Sequence, residues 1–147
     1  MVSKWPGNAT KAVTTFGGLT RSALMSRIRG KGNKTTELRM VELLRKALLK
    51  GWRRNFDLPG KPDFVWSINN LAVFVDGCFW HGHSCKRNLT PKRNAKIWLD
   101  KIEKNRLRDR MVTRQLRRLG WKVIRIWECQ LARNPERCIK KIEKHLL

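Results

Sequence analysis

Within nine residues, Gly77-Cys78-Phe79-Trp80-His81-Gly82-His83-Ser84-Cys85, this chain gathers soft metal ligands, a further imidazole and two adjacent large aromatics. The spacing is Cys-x4-His-x-Cys, and a third cysteine follows far downstream in Trp127-Glu128-Cys129. Cys78, His83, Cys85 and Cys129 would close a tetrahedron, which is how zinc is held when its role is structural and no position is kept open for water. The run Trp121 to Trp127 must then deliver Cys129 to the same point as the middle of the chain. The competing reading is a set of reduced, buried cysteines with an incidental histidine. Cys138, in the C-terminal helical segment, stands outside either arrangement.

Charge bounds the partner. Against 11 Asp and Glu the chain carries 34 Lys and Arg, a formal net charge of +23. Such a charge repels itself unless a polyanion shares it, and nucleic acid is the usual one. An anionic membrane is the competitor, but no run of about eighteen apolar residues supports it, and the N-terminus lacks the apolar core of a signal peptide. A soluble, cytoplasmic protein is expected. Four cysteines without a secretory signal favour thiols or metal over disulfides.

An apolar share of 41% in 147 residues suits one ordinary domain. Residues 1–32 differ, with Gly7, Gly17, Gly18, Gly30 and Gly32 among scattered Ser, Thr and Lys. They are expected to form a flexible basic arm that orders on DNA, leaving 33–147 as the folded domain.

The first helix is expected from Thr35 to Lys50, capped by Asn33, Thr35 or Thr36 and left at Gly51. Val41, Leu44 and Leu48 make its apolar stripe. Glu37 falls one turn before Val41, on the same inward side. An inward acid in the first turn is either favoured there by the helix dipole or helps to organise a cation or a catalytic water.

A hairpin follows. Pro62 to Ile68 and Leu71 to Val75 are β-branched and aromatic runs, and Asn69-Asn70 suits a two-residue turn. That turn pairs Ile68 with Leu71 and Trp66 with Val73, and sets Asp63 directly opposite Asp76. Carboxylates so placed repel unless a cation, a proton or a basic side chain lies between them. Mg²⁺ is the natural guest, because it takes hard oxygen ligands and completes its shell with water and phosphate. A one-residue slip would instead part the two acids to opposite faces. Both faces of the hairpin are apolar, so it belongs at the centre of a sheet.

Asn94 to Leu119 reads as a basic helix with Trp98, Ile102, Val112, Leu116 and Leu119 in register. Asn105 and Asp109 continue that stripe through its polar middle, either as supports for the site or because the helix breaks between Glu103 and Arg108. Gly120 ends it, Trp121 to Trp127 is a buried strand, and a last helix runs from Pro135 to Leu147. Cys138 and His145 there are expected to pack or to be solvated.

Pro62-Asp63-Phe64, Gly77-Cys-Phe-Trp-His-x-His-x-Cys85, Trp98-Leu-x-Lys-Ile-x-x-Asn105, Gly120-Trp-x-Val and Trp127-Glu-Cys129 occur in an order that resembles the very-short-patch mismatch repair (Vsr) endonucleases. These are bacterial enzymes that nick DNA beside a T·G mismatch left by deamination of 5-methylcytosine. The resemblance covers Thr20 to Leu131. It implies an α/β fold similar to restriction endonucleases (PD-(D/E)-x-K type), a mixed central sheet flanked by helices with a structural zinc site.

Carried over residue by residue, Asp63 would hold a catalytic Mg²⁺, His81 would activate water or steady the scissile phosphate, and Glu37 would be the helix-borne acid nearby. Cys78, His83, Cys85 and Cys129 match the Zn²⁺ ligands. Phe79 and Trp80, with Met25 from the arm, match side chains that wedge into the base stack, and Trp98 is counted with them as DNA-binding. Where some relatives have Thr-His, this chain has Val75-Asp76, which favours two carboxylates, Asp63 and Asp76, in the catalytic group. The implied partner is double-stranded DNA with a T·G mismatch, approached by a monomer and bound in the nucleoid, with other mismatch-repair proteins as further partners.

His81 lies between two zinc ligands in the chain yet is not needed to complete the tetrahedron, and its reference pKa near 6.5 suits proton transfer. Wedging costs a few kcal/mol of unstacking, least at a mispair, which gives Phe79-Trp80 a physical basis for preferring one. Two alternatives remain: a nuclease of this fold that cuts unmismatched DNA, and a zinc-stabilised DNA-binding module in which Asp63 and Asp76 merely pair with Lys or Arg.

Overall fold

The computed structural model describes residues 14–15, 19–20, 36–85 and 93–147. The chain divides into two units, Met1–Gly30 and Lys31–Leu147. In the first, β1 (Thr14–Thr15) pairs antiparallel with β2 (Leu19–Thr20). Apart from these four residues, the expected arm 1–32, Met25 included, lies outside the described residues.

In the second unit the order is α1 (Glu37–Lys46), β3 (Phe64–Trp66), β4 (Leu71–Asp76), α2 (Ala95–Arg118), β5 (Lys122–Trp127), α3 (Glu128–Arg133) and α4 (Pro135–Leu146). The sheet order is β3-β4-β5, with β3 antiparallel and β5 parallel to β4. A parallel neighbour requires a crossover, and α2 supplies it. The sheet is therefore mixed, and β4 is buried along its whole length.

Strand periodicity divides the core. Phe64, Val73, Val75, Ile124 and Ile126 face Met40 and Leu44 of α1 and Ile139 and Ile142 of α4. Ala72 and Phe74 face the other way, against Leu116 of α2. Leu116 is fully buried, so truncating it to alanine is expected to cost about 2–5 kcal/mol. The result is three layers, α1 and α4, the sheet, and α2.

Two local expectations are corrected. Helix α1 stops at Lys46 and Leu48 takes a positive φ of 56°, so Leu48 leaves the expected stripe and is exposed while Met40 joins Leu44 in the core. The hairpin register is also different: Trp66 pairs with Leu71 and Phe64 with Val73. Asp63 is thus not directly opposite Asp76. Only Asn70 adopts a positive φ, whereas the mirror-image two-residue turn needs it at both asparagines. The turn accordingly widens, Asn70 N donates to Ser67 O at 3.3 Å, and Ile68 is expelled to solvent. A shift of two residues preserves side-chain parity, so both acids stay on the α2 face.

Helix α2 runs unbroken through Glu103 to Arg108, which removes the helix break as an account of Asn105 and Asp109. Helix α3 was not anticipated. At six residues it is too short to show a period, and it starts directly where β5 ends. No helix among the described residues is long and apolar enough to cross a membrane.

Candidate active site and metal centre

The segment after β4 turns tightly against α2. His81 N donates to Gly77 O at 3.3 Å and His83 N to Cys78 O at 2.9 Å. Between the two histidines Gly82 has φ 63°, and a β-carbon there would approach Ile102 of α2 to 2.7 Å. Glycine at this point lets the backbone lie against the helix while His81 and His83 serve different clusters.

His83 joins the thiol cluster. The ligand atoms of Cys78, His83, Cys85 and Cys129 all lie within 4.8 Å of one another, and Cys129 Sγ is 3.4 Å from His83 Nδ1. Tetrahedral zinc with bonds of about 2.3 Å to sulfur places ligands roughly 3.8 Å apart, so this donor set fits with small adjustments. The first turn of α3 carries Cys129, whose backbone N donates to Cys78 Sγ at 3.4 Å. Burial, helped by the neighbouring thiols, pushes the Cys78 thiol up to about 12, so it needs a cation to become a thiolate. The His83 ring is stacked on Trp127 at 4.2 Å, which fixes its plane.

His81 belongs to another group. Its Nδ1 bonds Asp109 of α2, and its Nε2 lies 3.7 Å from Asp76 Oδ1. Burial opposes a charge on the imidazole, but the Asp109 hydrogen bond and the charges of Asp76 and Asp109 outweigh it and raise its pKa above the ordinary value. Asp76 is buried at the end of β4, and Arg125 Nη1 donates to both its oxygens, at 3.1 and 2.9 Å. Asn105 donates to the Trp80 carbonyl at 2.9 Å, which ties the aromatic segment to α2.

Asp63, just before β3, accepts from Val75 N at 2.7 Å. Burial first, then Glu37 and Asp76, push its carboxyl up to about 7 against the pull of that backbone N–H. Glu37 is buried as expected at the start of α1, where it pairs with Arg54 and hydrogen-bonds Asp63. Asp63 thus neighbours Glu37 and feels the charge of Asp76, while Arg54 offsets Glu37 and Arg125 offsets Asp76; the oxygens of Asp63 and Glu37 are of the kind a hard divalent cation takes.

The aromatics pack edge to face. Ring centroids are 5.1 Å apart for Phe79–Trp80, 5.6 Å for Phe79–Trp98 and 5.5 Å for Trp80–Trp98. Phe79 and Trp80 keep part of their surface in solvent; Trp98 is buried and backs them. Beside His81 opens a cleft of about 880 Å³, one wall of which is α2 with Arg106, Arg110, Arg114 and Arg117 at helical spacing.

Sequence reasoning brought Glu37, Asp63, Asp76, His81 and Asp109 into view but missed Arg54, Arg125 and this arginine wall. Arg125 had a signal: it is a charged residue set between Ile124 and Ile126 in the interior of a strand whose other charge, Lys122, stands at its start, and strand parity puts it on the α2 face.

A family profile described as DNA mismatch endonuclease Vsr matches residues 14–87. A "Type II nicking enzyme V.XorIIP" of Xanthomonas oryzae pv. oryzae is 39% identical over 112 residues, which are 76% of this chain and 82% of that protein. The "DNA mismatch endonuclease Vsr" of Escherichia coli K12 is 41% identical over 95 residues, 65% of this chain and 61% of the relative. The "Type II nicking enzyme V.NmeAIP" of Neisseria meningitidis serogroup A is 45% identical over 85 residues, 58% of this chain and 60% of the relative. With the family profile matched across half its length and 39% identity spanning most of a relative, this chain is a DNA endonuclease that belongs to the Vsr family.

Proposed function

We propose that this protein nicks one strand of duplex DNA beside a T·G mismatch by Mg²⁺-dependent phosphodiester hydrolysis, on a restriction-endonuclease-like fold stiffened by zinc. The observation that carries the reading is the grouping of Asp76, His81 and Asp109 beside a cleft, with Asp63 close enough to feel the charge of Asp76 and with Phe79 and Trp80 next to His81 in the chain and partly exposed.

Asp63 and Glu37 are the residues that would hold Mg²⁺. When bound, the ion polarises the scissile phosphate and stabilises the charge that builds on its oxygens. With Asp109 ionised, the Nδ1 of His81 carries the proton and Nε2 is left as the base. His81 then takes the proton of the attacking water as the bond from phosphorus to the leaving sugar oxygen breaks. Arg106, Arg110, Arg114 and Arg117 bind backbone phosphates along α2, a contact that holds DNA without reading its sequence. Phe79 and Trp80 enter the base stack with Trp98 behind them, where a mispair opens at least cost. Cys78, His83, Cys85 and Cys129 hold Zn²⁺, so the loop that carries His81 is fixed to α3 and β5. The arm 1–32, with Met25, completes the grip on DNA, and the protein works as a monomer in the bacterial cytoplasm.

The deciding experiment compares one labelled duplex with a T·G pair against the same duplex with C·G, each with and without Mg²⁺. Nicking of the T·G strand only, and only with Mg²⁺, is expected. Equal cutting of both duplexes would favour the other reading, a nuclease of this fold that acts on unmismatched DNA.

A further inference from the structure

Arg125 lies where a cation would be expected. The ligand atoms of Asp76, His81 and Asp109 are all within 4.8 Å of one another, a grouping compact enough for a metal ion. The guanidinium of Arg125 reaches the same two carboxylates. Besides its bonds to Asp76, Nη1 lies 3.6 Å from Asp109 Oδ1 and Nη2 donates to the Asp109 backbone carbonyl at 3.4 Å. Its position is fixed on the remaining sides: Nε donates to Thr113 Oγ1 at 3.2 Å, and the guanidinium carbon is 4.2 Å from the centroid of Phe74, directly across the β4–β5 ladder. Only 19% of this side chain is exposed. A long, charged side chain so restrained is preorganised to stay among the acids.

We propose that Arg125 is a positioning residue that serves as a built-in cation and keeps divalent metal out of the Asp76–His81–Asp109 group. Two physical arguments lead there. A divalent ion bound to those carboxylates would sit within a few ångströms of a fixed positive guanidinium and be repelled. A metal in that group would also use the Nε2 lone pair of His81, the same pair that a general base needs for the proton of water. By holding both carboxylates, Arg125 leaves divalent cations to Asp63 and Glu37 and leaves His81 uncoordinated. This extends the proposed role of His81 and rests on that reading.

The test is Mn²⁺ binding by the zinc-replete full chain, read by electron paramagnetic resonance as bound ions per protein and as nitrogen coupling in the echo envelope. Arg125→Met and Arg125→Gln are expected to bind one more ion than wild type, with a directly coordinated nitrogen that wild type lacks. Arg125→Lys, which keeps a charge there, is expected to keep the wild-type number, and the double variant Arg125→Met/Asp76→Asn to return to it. An unchanged count in both uncharged variants would overturn the proposal. So would a coordinated imidazole nitrogen on Mn²⁺ in wild type, a measurement that does not depend on any variant folding. Absence of all Mn²⁺ from wild type would count against Asp63 as a metal ligand, not against Arg125, because the gain is measured relative to wild type.

Discussion

Two clusters grow from the same short segment, and they are built on opposite principles. The thiol cluster draws three of its four members from Cys78 to Cys85 and satisfies them mainly with one another, in the cover of Trp127. The acid cluster takes His81 from that segment, Asp76 from β4, Asp109 from α2 and Arg125 from β5 and places them beside an open cleft, with Asp63 from the approach to β3 and Glu37 from α1 coupled to it by charge. Soft ligands at close spacing make a staple that depends little on the rest of the fold. Hard charges brought together from distant elements make a reactive site whose energy depends on every element that contributes.

The largest expected difference is in Asp63→Asn. If Asp63 holds the cation as proposed, removing its charge should lower the nicking rate at least about 10³-fold, with zinc content unchanged. The same change should make the metal-free protein more stable at pH 8. Because the folded pKa of Asp63 is raised to about 7, its contribution to stability is present below the unfolded value near 3.8 and lost as pH rises through 7. The gain should be on the order of 2 kcal/mol at pH 8 and absent near pH 4. Thermal melts at the two pH values check this, and equal melting temperatures at pH 8 would remove the case for a strained carboxylate.

Next in size is the staple. Cys129→Ala should lose zinc and cost several kcal/mol of stability, because part of the folding free energy comes from closing the tetrahedron. Zinc content by emission spectrometry, measured with chemical unfolding, decides the matter; retention of one tightly held zinc would break the contrast between the clusters.

Asp109→Asn should act through His81. Without the carboxylate at Nδ1 the raised pKa of His81 falls, so the acidic limb of kcat/KM against pH should move to lower pH while kcat drops about 10-fold or more. Zinc binding should not respond. A limb that stays in place would detach His81 from the proton transfer.

The smallest effect is expected for Arg114→Gln. One lost phosphate contact should weaken binding to matched and mismatched duplexes alike and reduce the slope of log K against log salt by about one. Weakening confined to the T·G duplex would mean that this arginine reads the mismatch and not the backbone.

How much was legible follows from the range of each interaction. The thiol and imidazole spacing, the inward Glu37 and the faces of the hairpin are local patterns, and each survives in the fold. The direct opposition of Asp63 and Asp76 did not survive, because the backbone torsions of Asn69 and Asn70 set the register and their residue types permitted more than one turn. The Arg54–Glu37 pair and the Arg125 contacts were not visible, since they join residues far apart in the chain through packing that no period reports.

The sequence by itself determined that a basic chain would carry a cluster of soft ligands next to a candidate proton-transfer histidine, because ligand chemistry and spacing are properties of adjacent residues. Only the tertiary structure decided which charges share the site. Their effective strength depends on burial and on the counter-charge opposite each carboxylate, and those are settled when α1, β4, α2 and β5 close on one another.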